Sequence, residues 1–64
     1  MNLETRRIMA GWSKTFVAKQ TGVTRQTVAN WESGVAIPTG KNLVALCKLY
    51  GVTAQELLEV EKNV

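Results

Sequence analysis

Three helix-start signals recur along the chain, and they limit its fold more than any other feature of the sequence. Each signal has a hydroxyl residue that can cap a helix, and the apolar residue before it is matched by another five positions later. This is the spacing of a hydrophobic staple around an N-cap. The caps are Ser13, Thr24 and Thr53, and the staple pairs are Trp12 with Val17, Val23 with Val28, and Val52 with Leu57. Because sustained alternation and Asn-Gly or Asp-Gly hairpin signals are missing, the sequence predicts short helices rather than strands.

Glycines and one proline mark the ends of these helices. Glycine stops follow four of the predicted segments, at Gly11, Gly22, Gly34 and Gly51. The helices are predicted near residues 2–10, 14–21, 25–32, 40–50 and 54–61. Pro38 disfavours helix at Ile37, so Thr39 or Gly40 is expected to cap the fourth helix, while Glu56 completes a capping box for the fifth. The predicted fold class is therefore all-α, a compact five-helix domain over residues 1–64 whose last few residues are expected to fray.

Apolar spacing also predicts which residues face the core. On the fourth helix the i, i+3, i+4, i+7 positions are apolar, namely Leu43, Leu46, Cys47 and Tyr50. Cys47 is interpreted as a core residue, because the chain offers it neither a second thiol nor a histidine. Trp12 and Trp31 occupy inward positions, so we assign them to the core rather than to stacking on nucleic-acid bases.

Composition excludes several classes of protein. A lone cysteine and the lack of histidine rule out an internal disulfide and the usual zinc-ligand sets. Without histidine or aspartate, acid-base chemistry would fall on five scattered glutamates, so we expect no enzyme, metal or cofactor. The sequence has no apolar run near the roughly 20 residues that span a bilayer, and its N-terminus does not resemble a secretory signal. We therefore expect a cytoplasmic protein with no membrane partner.

Charge is distributed unevenly along the chain. The net charge is +3. Residues 1–48 contain seven basic and two acidic residues, and residues 49–64 contain one basic and three acidic residues. The first part thus carries +5 and the second −2. This asymmetry is consistent with a basic working face in the first part and a different role for the end of the chain.

Residues 14–33 have the layout of a helix-turn-helix, two short helices joined by a tight turn. Ala18 is small enough for two helices to cross there, and Gly22 can adopt the positive φ that redirects the chain. The inward positions are Val17, Val23, Val28 and Trp31, and the outward positions of the second helix are Arg25, Gln26, Ala29 and Asn30. Arginine pairs well with guanine, and glutamine and asparagine pair with adenine, so this face suits the major groove. A solvated polar helix surface is the alternative interpretation of the same stripe.

The segment from Ser13 to Gly34 resembles the helix-turn-helix of the lambdoid phage repressor and Cro family, also called the xenobiotic-response-element family of bacterial regulators. The family pattern is matched at Ala18, Gly22, Val23, Thr24, Thr27, Val28, Trp31, Glu32, Gly34, Pro38 and Leu43, and over 49–58. The resemblance covers nearly the whole chain. It implies a lambda-repressor-like domain of five helices, with the helix-turn-helix formed by helices 2 and 3.

The same resemblance implies roles for particular residues. The residues implied to face bases are Thr24, Arg25, Gln26 and Asn30. Those implied to face phosphates are Lys14, Thr15, Thr27, Ser33, Lys41 and Asn42. An ion pair is implied between Arg7 and Glu32, and we interpret it as structural, because an unneutralised glutamate near DNA would repel phosphate.

Three positions depart from the family pattern. Lys14 stands where glutamine is usual, which favours a purely electrostatic phosphate contact. Thr21 replaces an apolar residue and is expected to loosen packing at the turn. Phe16 replaces a polar residue, and it is expected either to cover a neighbouring helix or to contact a partner.

The predicted function is sequence-specific binding of double-stranded DNA by a transcriptional regulator, either a repressor or a Cro-like switch protein. We expect no small-molecule ligand, since 64 residues leave no room for a sensing domain. The family implies a palindromic operator and a weak homodimer that DNA strengthens. Val60 and Val64 fit no inward spacing and, with Leu58, are the predicted dimer contacts, although scattered surface valines are equally compatible. The alternative function is a protein-binding module of antitoxin or antirepressor type.

Overall fold

The computed structural model describes residues 2–58, which form five α-helices and no strand. The helices are α1 (Leu3–Met9), α2 (Lys14–Thr21), α3 (Arg25–Ser33), α4 (Gly40–Tyr50) and α5 (Ala54–Leu57). The all-α prediction is confirmed, and the first four helices begin and end within one residue of their predicted bounds.

The fifth helix ends earlier than predicted. Its last helical residue is Leu57, and Leu58 lies in a turn with φ −90° and ψ 5°. A capping box fixes where a helix begins and leaves its length to packing, which explains why the start at Ala54 was predicted correctly and the end was not. Residues 59–61 of the predicted helix lie outside the part of the chain that the structure describes.

Side-chain caps start three of the helices, as predicted. Ser13 Oγ accepts from the Phe16 amide at 3.0 Å, and Thr24 Oγ1 accepts from the Thr27 amide at 3.1 Å. At α5 the reciprocal capping box is complete, because Glu56 Oε1 also accepts from the Thr53 amide at 3.2 Å. The fourth helix differs, since Thr39 occupies the N-cap position without a side-chain cap bond.

One apolar core lies between the helices. Its buried side chains are Leu3, Val17, Ala18, Val28, Trp31, Leu46 and Leu57. The first members of the three staples, Trp12, Val23 and Val52, are partly buried and pack against it. The predicted inward face of α4 is also confirmed, because Leu43, Cys47 and Tyr50 pack against the same cluster beside buried Leu46. The core holds α2 against both α3 and α4, and α1 against α3.

Over residues 2–58, none of the helices combines the length and the apolar character needed to cross a membrane.

Candidate nucleic-acid interface

The pair α2 and α3 is joined by a turn whose geometry follows from Gly22. This glycine has φ 73° and ψ 31°, the left-handed conformation that residues with a Cβ avoid. The Val23 amide donates to the Ala18 carbonyl at 3.0 Å, the six-to-one bond of a Schellman ending. Val23 then packs against the core, and Thr24 caps α3. The turn therefore ends one helix and starts the next within three residues.

Thr21, the polar residue at a usually apolar position, is accommodated within α2. Its hydroxyl donates to the Val17 carbonyl at 2.8 Å and approaches the Ala18 carbonyl at 3.4 Å. A helical threonine can satisfy its hydroxyl in this way without a tertiary partner. The hydroxyl of Thr21 therefore needs no hydrogen-bond partner outside α2.

The outward face of α3 carries the four residues expected to face bases. Arg25 and Gln26 are exposed, and Asn30 is half-buried. Gln26 Nε2 donates to Asn30 Oδ1 at 3.0 Å. Thr24 is exposed, but its hydroxyl is already the helix cap and lies 2.9 Å from the Thr27 hydroxyl. The structure therefore brings two amide side chains together on this face and leaves Thr24 mainly its methyl group for further contacts.

The residues expected to face phosphates lie near four helix ends, those of three helices. Lys14 and Thr15 begin α2, Thr27 lies in the first turn of α3 and Ser33 ends it, and Lys41 and Asn42 begin α4. All six are exposed or half-buried. The starts of α2 and α4 also have unpaired backbone amides and the positive ends of helix dipoles, which favour anions.

Arg7 and Glu32 form a bidentate ion pair between α1 and α3. Arg7 Nε lies 2.6 Å from Glu32 Oε2, and Arg7 Nη2 lies 3.3 Å from Oε1. The third donor, Nη1, binds the Trp12 carbonyl at 2.9 Å. The side chains are only 12% and 5% exposed, and hydrogen bonding to the Glu32 carboxylate, which accepts from the guanidinium, raises the pKa of Arg7. The glutamate charge in the last turn of α3 is thereby neutralised inside the protein.

Two aromatic side chains cluster around Trp12, the residue whose carbonyl accepts from Arg7. The Trp12 ring centroid is 5.3 Å from those of both Phe16 and Tyr50, in tilted arrangements. Phe16, which replaces a polar residue of the family pattern, covers Trp12 and remains 38% exposed. Burial raises the pKa of Tyr50, and the nearby Glu32 carboxylate raises it further.

The sequence predicted which residues lie on the outward face of α3, but it did not predict how Gln26 and Asn30 interact. The Gln26 to Asn30 bond was not predicted, although their spacing of four residues on a helix is the signal for it. The predicted dimer contacts are only partly described: Leu58 is half-buried, while Val60 and Val64 lie outside the described residues.

Comparison with known proteins identifies the class. Residues 3–57 match the family model HTH_3, described as Helix-turn-helix. The fold is similar to that of the P22 c2 repressor protein, solved in complex with synthetic operator 9T in the presence of Tl+. The TM-score is 0.84 at 28% identity, covering 91% of this chain and 88% of that chain. No curated protein matches the sequence.

Since the match spans most of its length, the chain belongs to the helix-turn-helix family, in the class of Cro and C1 regulators. This membership makes it a DNA-binding transcriptional regulator and not an enzyme, as the sequence predicts.

Proposed function

We propose that the protein binds double-stranded DNA sequence-specifically and represses transcription, with α3 reading bases in the major groove. The observation that carries this proposal is the exposed face of α3, where Arg25 and Gln26 project next to Asn30 from a helix whose start is fixed by the Thr24 cap. These side chains match the hydrogen-bonding edges of guanine and adenine. The similar P22 c2 repressor was solved with a synthetic operator, which supports the same mode here.

Phosphate contacts on both sides of α3 would position it in the groove. Lys14 at the start of α2 and Lys41 at the start of α4 supply positive charge at helix N-termini, where anions are favoured. Neutralisation of Glu32 by Arg7 removes a charge that would oppose these contacts. Such contacts set affinity and orientation, while the side chains of α3 set the preferred sequence.

Repression follows if two chains occupy a palindromic operator and thereby cover a promoter. One helix-turn-helix reads only a few base pairs, so pairing of two units on half-sites about one helical turn apart extends the site. We propose a homodimer that is weak in solution and forms on DNA, with Leu58, Val60 and Val64 at its contact.

One observation favours the alternative function, a protein-binding module of antitoxin or antirepressor type. At the end of α1, Ile8 and Met9 are 60% and 83% exposed, and exposed apolar side chains can contact a protein partner. The salt dependence of binding affinity distinguishes the two functions. Neutralising phosphates makes affinity fall steeply and linearly with the logarithm of salt concentration, whereas an apolar interface shows little dependence.

Selection of bound sequences from a random duplex library tests the proposed function directly. We expect the parent protein to select a defined site. Arg25→Ala should lose discrimination at one base pair, by about 1–3 kcal/mol, because a bidentate base contact disappears while the phosphate contacts remain. Lys14→Ala is the matched control that removes one positive charge from α2, and it should weaken binding to all sequences alike. A selection profile of Arg25→Ala identical to that of the parent would exclude Arg25 as a base-reading residue, and a parent that selects no defined site would refute the proposed function.

A further inference from the structure

Two amide side chains on the face of α3 are bonded to each other before any ligand arrives. Gln26 Nε2 donates to Asn30 Oδ1 over 3.0 Å. The residues are four apart in the helix, so they lie on one face, a single turn from each other. Gln26 is exposed whereas Asn30 is half-buried. Asn30 is therefore the shorter and less exposed of the two bonded side chains.

While the Asn30 amide keeps its observed orientation, this bond selects one orientation of the Gln26 amide. A glutamine amide can turn by half a rotation about its last bond, which exchanges its oxygen with its nitrogen. In the exchanged orientation Gln26 Oε1 would face Asn30 Oδ1, and two acceptors have no proton to share. The observed orientation uses one Nε2 proton and leaves a second Nε2 proton and the Oε1 oxygen for another partner.

One free donor beside one free acceptor defines the base that Gln26 can read. In the major groove adenine offers N6 as a donor and N7 as an acceptor, whereas guanine offers two acceptors, O6 and N7. Guanine would therefore leave Gln26 Oε1 against O6 without a proton between them. The fixed amide is complementary to adenine.

We propose that Gln26 and Asn30 act as one recognition unit, in which Gln26 reads adenine and Asn30 is the positioning residue that fixes its amide. This inference rests on the proposed function, because it assumes that α3 enters the major groove. It also gives Asn30 a role different from the direct base contact that the family resemblance implies, because its effect on sequence preference is exerted through Gln26.

A pair of substitutions at Asn30 separates this role from a purely structural one. Asn30→Asp keeps an oxygen acceptor where Asn30 Oδ1 lies, and Asn30→Leu has a similar shape with no acceptor. Each variant, together with Gln26→Ala and the parent, is taken through selection from a random duplex library. Thermal melting checks that each variant folds, and Asn30→Ala replaces Asn30→Leu if the latter does not.

The expected outcome has three parts. Gln26→Ala identifies one base pair at which the parent's preference for adenine falls about 10-fold. Asn30→Leu lowers the adenine preference at that same base pair. Asn30→Asp retains the preference, although its added negative charge weakens binding to every duplex.

Other outcomes overturn the inference. The positioning role is excluded if Asn30→Leu leaves the preference at the Gln26 base pair unchanged, or if Asn30→Asp loses that preference as fully as Asn30→Leu does. A parental preference for guanine at this base pair excludes the adenine assignment. A parent that selects no sequence at all refutes the proposed function itself, a result distinct from a failure confined to the Asn30 variants.

Discussion

Arg7 makes contacts that join separate parts of the chain. Its guanidinium binds Glu32 through two donors and the Trp12 carbonyl through a third, so a single side chain connects α1 with the end of α3. Arginine suits this position because its planar fork can satisfy a carboxylate and a carbonyl simultaneously. The electrostatic state of the candidate interface thus depends on a residue of α1, a helix to which no predicted DNA contact belongs.

Removal of Arg7 should destabilise the fold. We expect Arg7→Ala to lower the free energy of unfolding by about 3 kcal/mol, because it leaves the largely buried Glu32 carboxylate without a counter-ion. The control is Lys19→Ala, which removes the same charge from an exposed position on α2. Urea denaturation of both variants provides the measurement. Equal stability of the two variants would show that the ion pair contributes little.

Tyr50 makes stability depend on alkaline pH. Burial raises its pKa in the folded state, so the folded protein holds the phenolic proton more tightly than the unfolded chain does. Its contribution to stability is complete below the unfolded pKa of about 10, and it is lost as pH rises through the raised folded pKa. Between about pH 9 and about pH 11 the parent should therefore lose more stability than Tyr50→Phe, which cannot ionise. Urea denaturation at several pH values measures this, and parallel pH profiles of the two proteins would contradict it.

At the scale of elements, the turn between α2 and α3 depends on the conformation of one glycine. A Cβ added at Gly22 would meet no atom within 4 Å, so any cost of substitution comes from φ 73° and not from crowding. Gly22→Val should lower the free energy of unfolding by about 2–3 kcal/mol, because a β-branched residue is strained in the left-handed region. Gly22→Asn is the matched control, since asparagine tolerates that region better, and it should cost less. Thermal or urea unfolding tests the ranking, and a Gly22→Val variant as stable as the parent would refute it.

The sequence predicts the starts of the helices better than other features because those starts depend on neighbouring residues. Ser13, Thr24 and Thr53 each cap an amide only three residues away, so their role is visible without knowledge of the fold. Glycine endings are equally local. The end of α5 at Leu57 has no such glycine signal, and there the prediction ran too far.

The candidate interface was predictable as a set of residues but not as a geometry. Periodicity places Arg25, Gln26 and Asn30 on the outer side of α3. Which amide donates to which depends on rotamers, and the pattern of residue types does not determine them. For the same reason the sequence did not show that the Thr21 hydroxyl bonds back to a carbonyl of its own helix.

At the scale of the whole molecule, binding strength depends on how many copies act together. The chain is short and carries only +3, so one copy has few contacts with which to hold one half-site. If two copies pair on a palindrome, each holds the other at a high effective concentration, and a weak contact then suffices. The acidic end of the chain is the region we expect to make that contact, because the basic residues are concentrated before it.

Truncation after Glu59 tests this assembly, since it removes Val60 and Val64 while keeping all five described helices. We expect occupancy of a palindromic duplex to fall about 10-fold and its binding curve to become less steep, because pairing no longer assists the second copy. Binding to a duplex with one half-site should change little, since the helix-turn-helix itself is intact. The measurement is a titration of the 64-residue and truncated chains onto both duplexes, with the number of bound chains determined for each. Equal losses on the two duplexes, or a single 64-residue chain bound per palindrome, would exclude pairing through this end of the chain.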